Sequence, residues 1–199
     1  MRTRFYDSKD LVFQGPEVFL AGPTASGVTT PWRERALDLL RFHGFPGVAI
    51  VPQFERLAFQ AGRAKNPTQD LTGWEVQNID SCDVLLIWCE FRLGEKSDPM
   101  SQPGFATRTE FGIAIERYRN GDGPKLVVGM PTATPGYAQR GGQVEWHCNN
   151  AGLPLHRTLE SAIDEVITLC GGPWGQSGDP AASRIDASMA GAREVQLGH

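Results

Sequence analysis

The chain has 199 residues, 40% of them hydrophobic and 21% charged, with a formal net charge of −4. That is enough for one domain with a sizeable core, and the mild acidity gives no reason to expect a nucleic-acid polymer as a partner. No segment approaches the ~20 apolar residues of a bilayer span, and the basic start at residues 1–7 has no apolar run behind it, so neither a membrane nor a signal peptide is expected. Cys82, Cys89, Cys148 and Cys170 form no C-x-x-C pair and are read as reduced thiols of a cytoplasmic protein.

Five short apolar runs alternate with helical patterns. The first covers residues 17–22. A helix over 31–43 follows, with Thr30 placed to cap it, Pro31 fitting its first position, Gly44 its stop, and Ala36, Leu37 and Leu40 its apolar face. The second run is 48–51, closed by Pro52; residues 53–70 have no period and read as a loop, before a short helix over 73–80. The third run, 83–88, is uniformly apolar after its first residue, as a central parallel strand covered on both faces would be.

Residues 89–106 read as a second long loop, and 109–119 as a helix with Phe111, Ala114, Ile115 and Tyr118 on one stripe. The fourth run is 125–129. Residues 131–150 are weakly patterned. The fifth run, at 153–156, is weak and leads into a helix over 159–170. The domain is therefore drawn as residues 1–170, with 171–199, rich in Gly, Pro, Ser and Ala, as a flexible tail. Strand–helix alternation predicts a doubly wound, five-stranded parallel sheet of order 2-1-3-4-5, flavodoxin- or Rossmann-like, with run 83–88 central. Ligands of such sheets sit beyond the carboxyl ends of the strands, where the strand order reverses.

That rule selects the loops after Gly22, after Val51 and after Trp88. The first reads Ala21-Gly-Pro-Thr-Ala-Ser-Gly27. Gly22 permits a sharp turn, Thr24 and Ser26 offer hydroxyls, and the spacing is neither a Walker loop nor G-x-G-x-x-G. An ordinary strand-to-helix turn and a phosphate or sugar site are both open. Glu110 has two readings as well: Thr107 and Glu110 have capping-box spacing, yet the acid also lies at the mouth of the loop after the central strand. Thr72 and Glu75 repeat the capping spacing, so Glu75 carries the same ambiguity. Trp32, Trp74 and Trp88 could stack on a nucleobase or belong to the core. His147 and Cys148 lack a second ligand pair at any zinc spacing, so no metal is expected.

Taken together, Val18-Phe-Leu-Ala-Gly-Pro23, Ile79-Asp-Ser-Cys-Asp83-Val-Leu-Leu-Ile and Thr109-Glu110-Phe-Gly-Ile-Ala114 resemble the opening strand, the central helix-to-strand join and the E-x-G-x-A signature of nucleoside 2-deoxyribosyltransferases. Pro31-Trp-Arg33, Trp74-Glu75 and the run from Pro103 through Thr107, Arg108 and Thr109 to Glu110 look closer to a less characterised branch of that superfamily. The resemblance spans about residues 17–170 and implies an enzyme acting on the N-glycosidic bond of a nucleoside or nucleotide, by 2-deoxyribosyl transfer or by hydrolysis. It implies Glu110 as nucleophile and Asp83 as the acid that holds or protonates the base. Gly22, Pro23, Thr24, Ser26, Trp32, Arg33, Trp74, Glu75, Thr107, Arg108 and Thr109 would line the substrate site. No cofactor is implied, and a homodimer or multiple of dimers is. The stretch 102–106 has no acid where the family's transferases carry an aspartate, which keeps open hydrolysis and also a nucleotide-binding module without turnover.

Overall fold

The computed structural model describes residues 1–6, 8, 14–23, 31–53, 69–90, 105–132 and 137–172. It is an α/β fold with a six-stranded, wholly parallel sheet. The strands are β1 (Arg2–Phe5), β2 (Glu17–Ala21), β3 (Val48–Val51), β4 (Val84–Trp88), β5 (Lys125–Gly129) and β6 (Leu155–His156). Their order is β1-β3-β2-β4-β5-β6. The five expected runs keep their relative order, and β4 lies inside the sheet. The expectation of five strands is corrected to six, because β1 extends the edge beside β3.

β1 escapes a pattern reading because Arg2-Thr-Arg offers no apolar alternation, and only Phe5 is buried. A long-range contact compensates. Arg4 forks onto Glu17, with Nη2 to Oε1 at 2.6 Å and Nη1 to Oε2 at 3.2 Å, and Nη1 also reaches Asn78 Oδ1 at 3.2 Å. Such a bidentate, half-buried pair fixes a charged strand in place.

Among the described residues five helices cover the sheet: α1 (Trp32–Phe42), α2 (Gln69–Ser81), α3 (Phe105–Asn120), α4 (Tyr137–Ala151) and α5 (Leu159–Leu169). Side chains of a strand alternate between faces. Val18, Leu20, Ala49, Val51, Val84, Leu86, Trp88 and Val127 therefore pack with α1 and α5. Phe19, Ala21, Val48, Ile50, Leu85, Ile87, Leu126 and Val128 pack on the other side, with Phe111, Ala114 and Ile115 of α3 and Val144 and Cys148 of α4. The order reverses at β2, whose neighbours β3 and β4 lie on opposite sides of it.

Helix boundaries differ from expectation in an informative way. α1 starts one residue late, with Pro31 in the cap position and no side-chain cap, and ends as read, before Gly44 at φ +67°. α5 is capped by Thr158, which accepts the Ser161 N–H at 3.2 Å. α2 and α3 each begin about four residues earlier than their patterns suggest. α4 is a helix in the weakly patterned stretch; Gly141 and Gly142 interrupt its pattern, and Val144 and Cys148, one helical turn apart, are buried. Among the described residues no helix is long and apolar enough to cross a membrane. All four cysteines are free thiols. The tail from 173 on lies outside the described residues.

Candidate active site

The carboxyl end of β2 is tied down by two consecutive residues of α1. Trp32 Nε1 donates to the Pro23 carbonyl at 3.0 Å. Arg33 donates from Nε to Leu20 O at 3.0 Å, from Nη2 to Gly22 O at 2.5 Å and from Nη1 to Pro23 O at 3.4 Å. Its guanidinium also lies over the Trp32 ring, 4.9 Å from the centroid. Gly22 is required here: φ is +154°, and a Cβ would stand 2.6 Å from Trp32 Cζ2 and 2.8 Å from the Trp88 carbonyl. Trp32 and Trp88 are each 4% exposed, so both belong to the core rather than forming open stacking platforms. Arg33, 6% exposed, acts as a strand-end clamp rather than a projecting substrate ligand.

Across the gap stand two acids. The capping readings of both fail on the helix starts. α3 begins at Phe105 and α2 reaches back to Gln69, so Thr107, Glu110, Thr72 and Glu75 all lie inside helices. A capping box needs its Ser or Thr outside the first helical residue, where the acid can reach a free N–H. Both carboxyls are partly buried. Burial pushes the Glu110 carboxyl above its ordinary range, opposed by the charge of Arg33. Burial, followed by the neighbouring Glu110, pushes Glu75 up to about 7, again opposed by Arg33. Burial in turn lowers Arg33 to about 10, with Glu110 and Glu75 supporting its charge. Arg33, Glu75 and Glu110 thus form one electrostatic cluster. Cys89, just past β4, lies within its reach, because Glu110 raises that buried thiol further.

Below Glu110, α2 and α3 part around a cavity of about 120 Å³ lined by Val76, Ile79, Leu85, Ile113, Ala114 and Leu126, among others. This apolar wall accounts for the desolvation of Glu110. An ion pair between Arg117 and Asp80 lies at its far end.

Asp83 is not part of this cluster. It precedes β4 at the amino end of the sheet, is exposed, and accepts the Glu17 N–H through Oδ2 at 2.8 Å. The length of the strand, at ~3.3 Å per residue, separates it from Cys89 by about 20 Å. In the described fold Asp83 bonds a neighbouring strand and is not among the charges that act on Glu110. Thr24 and Ser26 lie outside the described residues. Pro23 and Thr107 are buried, Arg108 is partly buried and Thr109 exposed. Trp74 is partly exposed, with Tyr6 edge-on at 5.7 Å and Phe19 at 6.4 Å between ring centroids. Of Trp32, Trp74 and Trp88 it is the one that is not buried.

Two features were not singled out from sequence. Glu90, 8% exposed at the carboxyl end of β4, accepts the Trp88 Nε1–H at 3.2 Å; an acid directly after a uniformly apolar strand was the available signal. The pairing of Glu75 with Glu110 had no sequence signal, since it arises from two helices packed on one face. No protein-family model matches this chain, and no curated protein matches its sequence.

Proposed function

We propose that the chain makes or breaks the N-glycosidic bond of a nucleoside or nucleotide, with Glu110 as nucleophile and Glu75 as general acid and base. The observation that carries this reading is that Glu75 and Glu110, inside α2 and α3, are both partly buried beside an apolar cavity, and burial raises both carboxyls above their ordinary range. Glycosyl transfer calls for two carboxyls, one to meet the oxocarbenium-like carbon and one to protonate the leaving group.

In this scheme a Glu110 oxygen bonds to the anomeric carbon as the C–N bond breaks. The electron pair of that bond passes to the base nitrogen, which takes the proton of Glu75, a group protonated up to about pH 7. The glycosyl ester on Glu110 is then attacked by an acceptor base or by water. The attacking group's proton goes to the Glu75 carboxylate, and Glu110 leaves as the carboxylate. Glu75 takes the role expected of Asp83. Trp74, next to Glu75, offers the aromatic surface for the base. A cytoplasmic homodimer or multiple of dimers belongs to the same reading; light scattering that gave a 21.8 kDa monomer at micromolar concentration would remove that part.

The test is a panel of nucleosides and nucleoside monophosphates, with and without an acceptor base. Free base without acceptor means hydrolysis, exchange only with acceptor means transfer, and binding without either means a sensing module. On whichever substrate reacts, Glu110→Gln should lower turnover by on the order of 100-fold or more, with binding and folding kept. A variant that reacts at the wild-type rate removes Glu110 from the chemistry.

A further inference from the structure

We propose that the cavity between α2 and α3 is a binding site for one small uncharged apolar molecule, of about the size of a benzene ring. This goes beyond the reading above: the occupant is not the nucleoside, and the site stands whether or not a nucleoside is turned over.

The cavity has a floor, sides and a mouth. The floor is the cross-strand pair Leu85 and Leu126, directly opposite each other on β4 and β5 and at most 4% exposed. Ile79 of α2 and Ala114 of α3 line it above that floor. Val76 and Ile113, each more than half exposed, stand at the mouth. Elsewhere on this face α3 fills the space over the strands with Phe111 and Ile115, which are buried in the core. At the cavity it presents only the methyl group of Ala114. What bridges the two helices there is the ion pair of Arg117 with Asp80. A guanidinium on its long stem reaches across a gap without filling it.

Size and lining select the occupant. An apolar cavity of about 150 Å³ stays free of water and takes up benzene or xenon; this one has about 120 Å³. Its polar groups stand at its two ends, Glu110 at one and Asp80 with Arg117, already joined to each other, at the other. A nucleoside fits poorly, because its sugar hydroxyls and base heteroatoms would lose water and find no partner along the apolar walls. Trp74 and Glu75, which serve the base in the reading above, are not among its lining residues. Leu85 and Leu126 are the second residues of their strands, and Asp80 and Arg117 lie in the last turns of their helices. The cavity therefore runs toward the amino end of the sheet, away from the carboxyl ends of β2 and β4, and meets the proposed chemistry only at Glu110. An apolar ring gains by leaving water and leaves no polar group of its own unpaired there.

The probe is benzene, and the readout is carbon-13 methyl NMR of the full chain without nucleoside. Benzene should move the methyl signals of Val76, Ile79, Leu85, Ile113 and Leu126 saturably. Those of Leu37, Leu40, Ile163 and Val166, on the opposite face, should stay in place. Pyrimidine, the same shape with nitrogens in its ring, should move the cavity methyls much less. Ala114→Leu fills the space from α3 and should abolish the benzene shifts; if that variant fails to fold, the wild-type comparison of benzene with pyrimidine decides alone. Shifts that do not saturate, shifts of equal size on both faces, or pyrimidine acting as strongly as benzene would overturn the proposal. So would cavity methyls that move with protein concentration in the absence of benzene, because a second copy would then cover the mouth. No nucleoside enters the measurement, so failure here leaves Glu110 a candidate nucleophile, and a chain that turned over no nucleoside would still pass or fail it.

Discussion

The two faces of the sheet are built differently. On one, α1 and α5 pack on the strands and on each other, and their inward residues Leu37, Leu40, Ala162, Ile163 and Val166 are at most 2% exposed. On the other, α2, α3 and α4 leave Val76, Ile113 and Trp146 more than half exposed, part around a cavity, and bury two acids in part. Apart from the buried clamp Arg33 and the exposed Phe42 at the end of α1, the first face is what apolar periodicity produces. The second departs from that solution where Glu75 and Glu110 stand, and local departures of this kind concentrate at functional sites.

The contrast breaks most visibly in the core. Ile163 is fully buried, whereas Ile113 is 57% exposed on the rim of the cavity. Ile163→Ala should cost about 2–5 kcal/mol in urea unfolding. Ile113→Ala should stay within about 0.5 kcal/mol, as exposed positions do. Equal losses would mean that the α2–α3 face is covered in solution, and that the asymmetry between the faces belongs to the isolated chain alone.

The same contrast explains what could be read from sequence. α1 and α5 were placed to within about a residue because their apolar residues recur every three to four positions over the whole length. α2 and α3 were found but drawn short. Their first turns carry little apolar periodicity, and the Thr-x-x-Glu spacings at Thr72 and Thr107 imitate helix starts that lie further back. Those misplaced starts are also what gave Glu75 and Glu110 their capping readings. The strand alternation put Glu110 near the carboxyl end of β4, so one acid of the site was legible. Glu75 had only the resemblance behind it, because nothing in the sequence fixes how α2 packs beside α3; Asp83, at the start of run 83–88, stands at the amino end of its strand, away from the carboxyl ends where such sheets bind ligands. β1 was invisible for a related reason: its hold on the sheet is the contact of Arg4 with Glu17, 13 residues away.

A smaller effect tests the hinge between the faces at Gly22, where the β2 end meets both tryptophans. Gly22→Ala places a methyl group against Trp32 and the Trp88 carbonyl at a backbone angle that side chains rarely adopt. The expected cost is about 1–3 kcal/mol, read as a lower melting temperature. The shift should be accompanied by a change in tryptophan fluorescence, since the clash falls on an indole. A variant that melts and fluoresces as wild type would show that the β2 end yields, and that the Arg33 clamp is looser than its three hydrogen bonds suggest.

The smallest effect concerns Glu75, and its sign separates an acid held neutral from an ordinary surface carboxylate. In the unfolded chain Glu75 ionises near its usual value of 4.5, whereas in the fold it ionises near 7, burial being the first cause and Glu110 the second. Between those values the folded chain holds a proton that the unfolded chain has lost. Wild-type stability from this group therefore falls as pH rises from about 4.5 to about 7, and stays at its lower level above that. Glu75→Gln cannot ionise, so it escapes the loss. Whatever constant cost the amide brings, the variant's melting temperature relative to wild type should rise through this window. Because Glu75 is only partly buried, a relative gain of about 1 kcal/mol is expected, or ~2–4 °C for a domain of this size. The measurement is calorimetry of both proteins at pH 5, 6, 7 and 8. A difference that stays flat across the series would mean that Glu75 does not titrate there; it would then be ionised at neutral pH like any exposed glutamate, and could not be the proton donor beside Glu110.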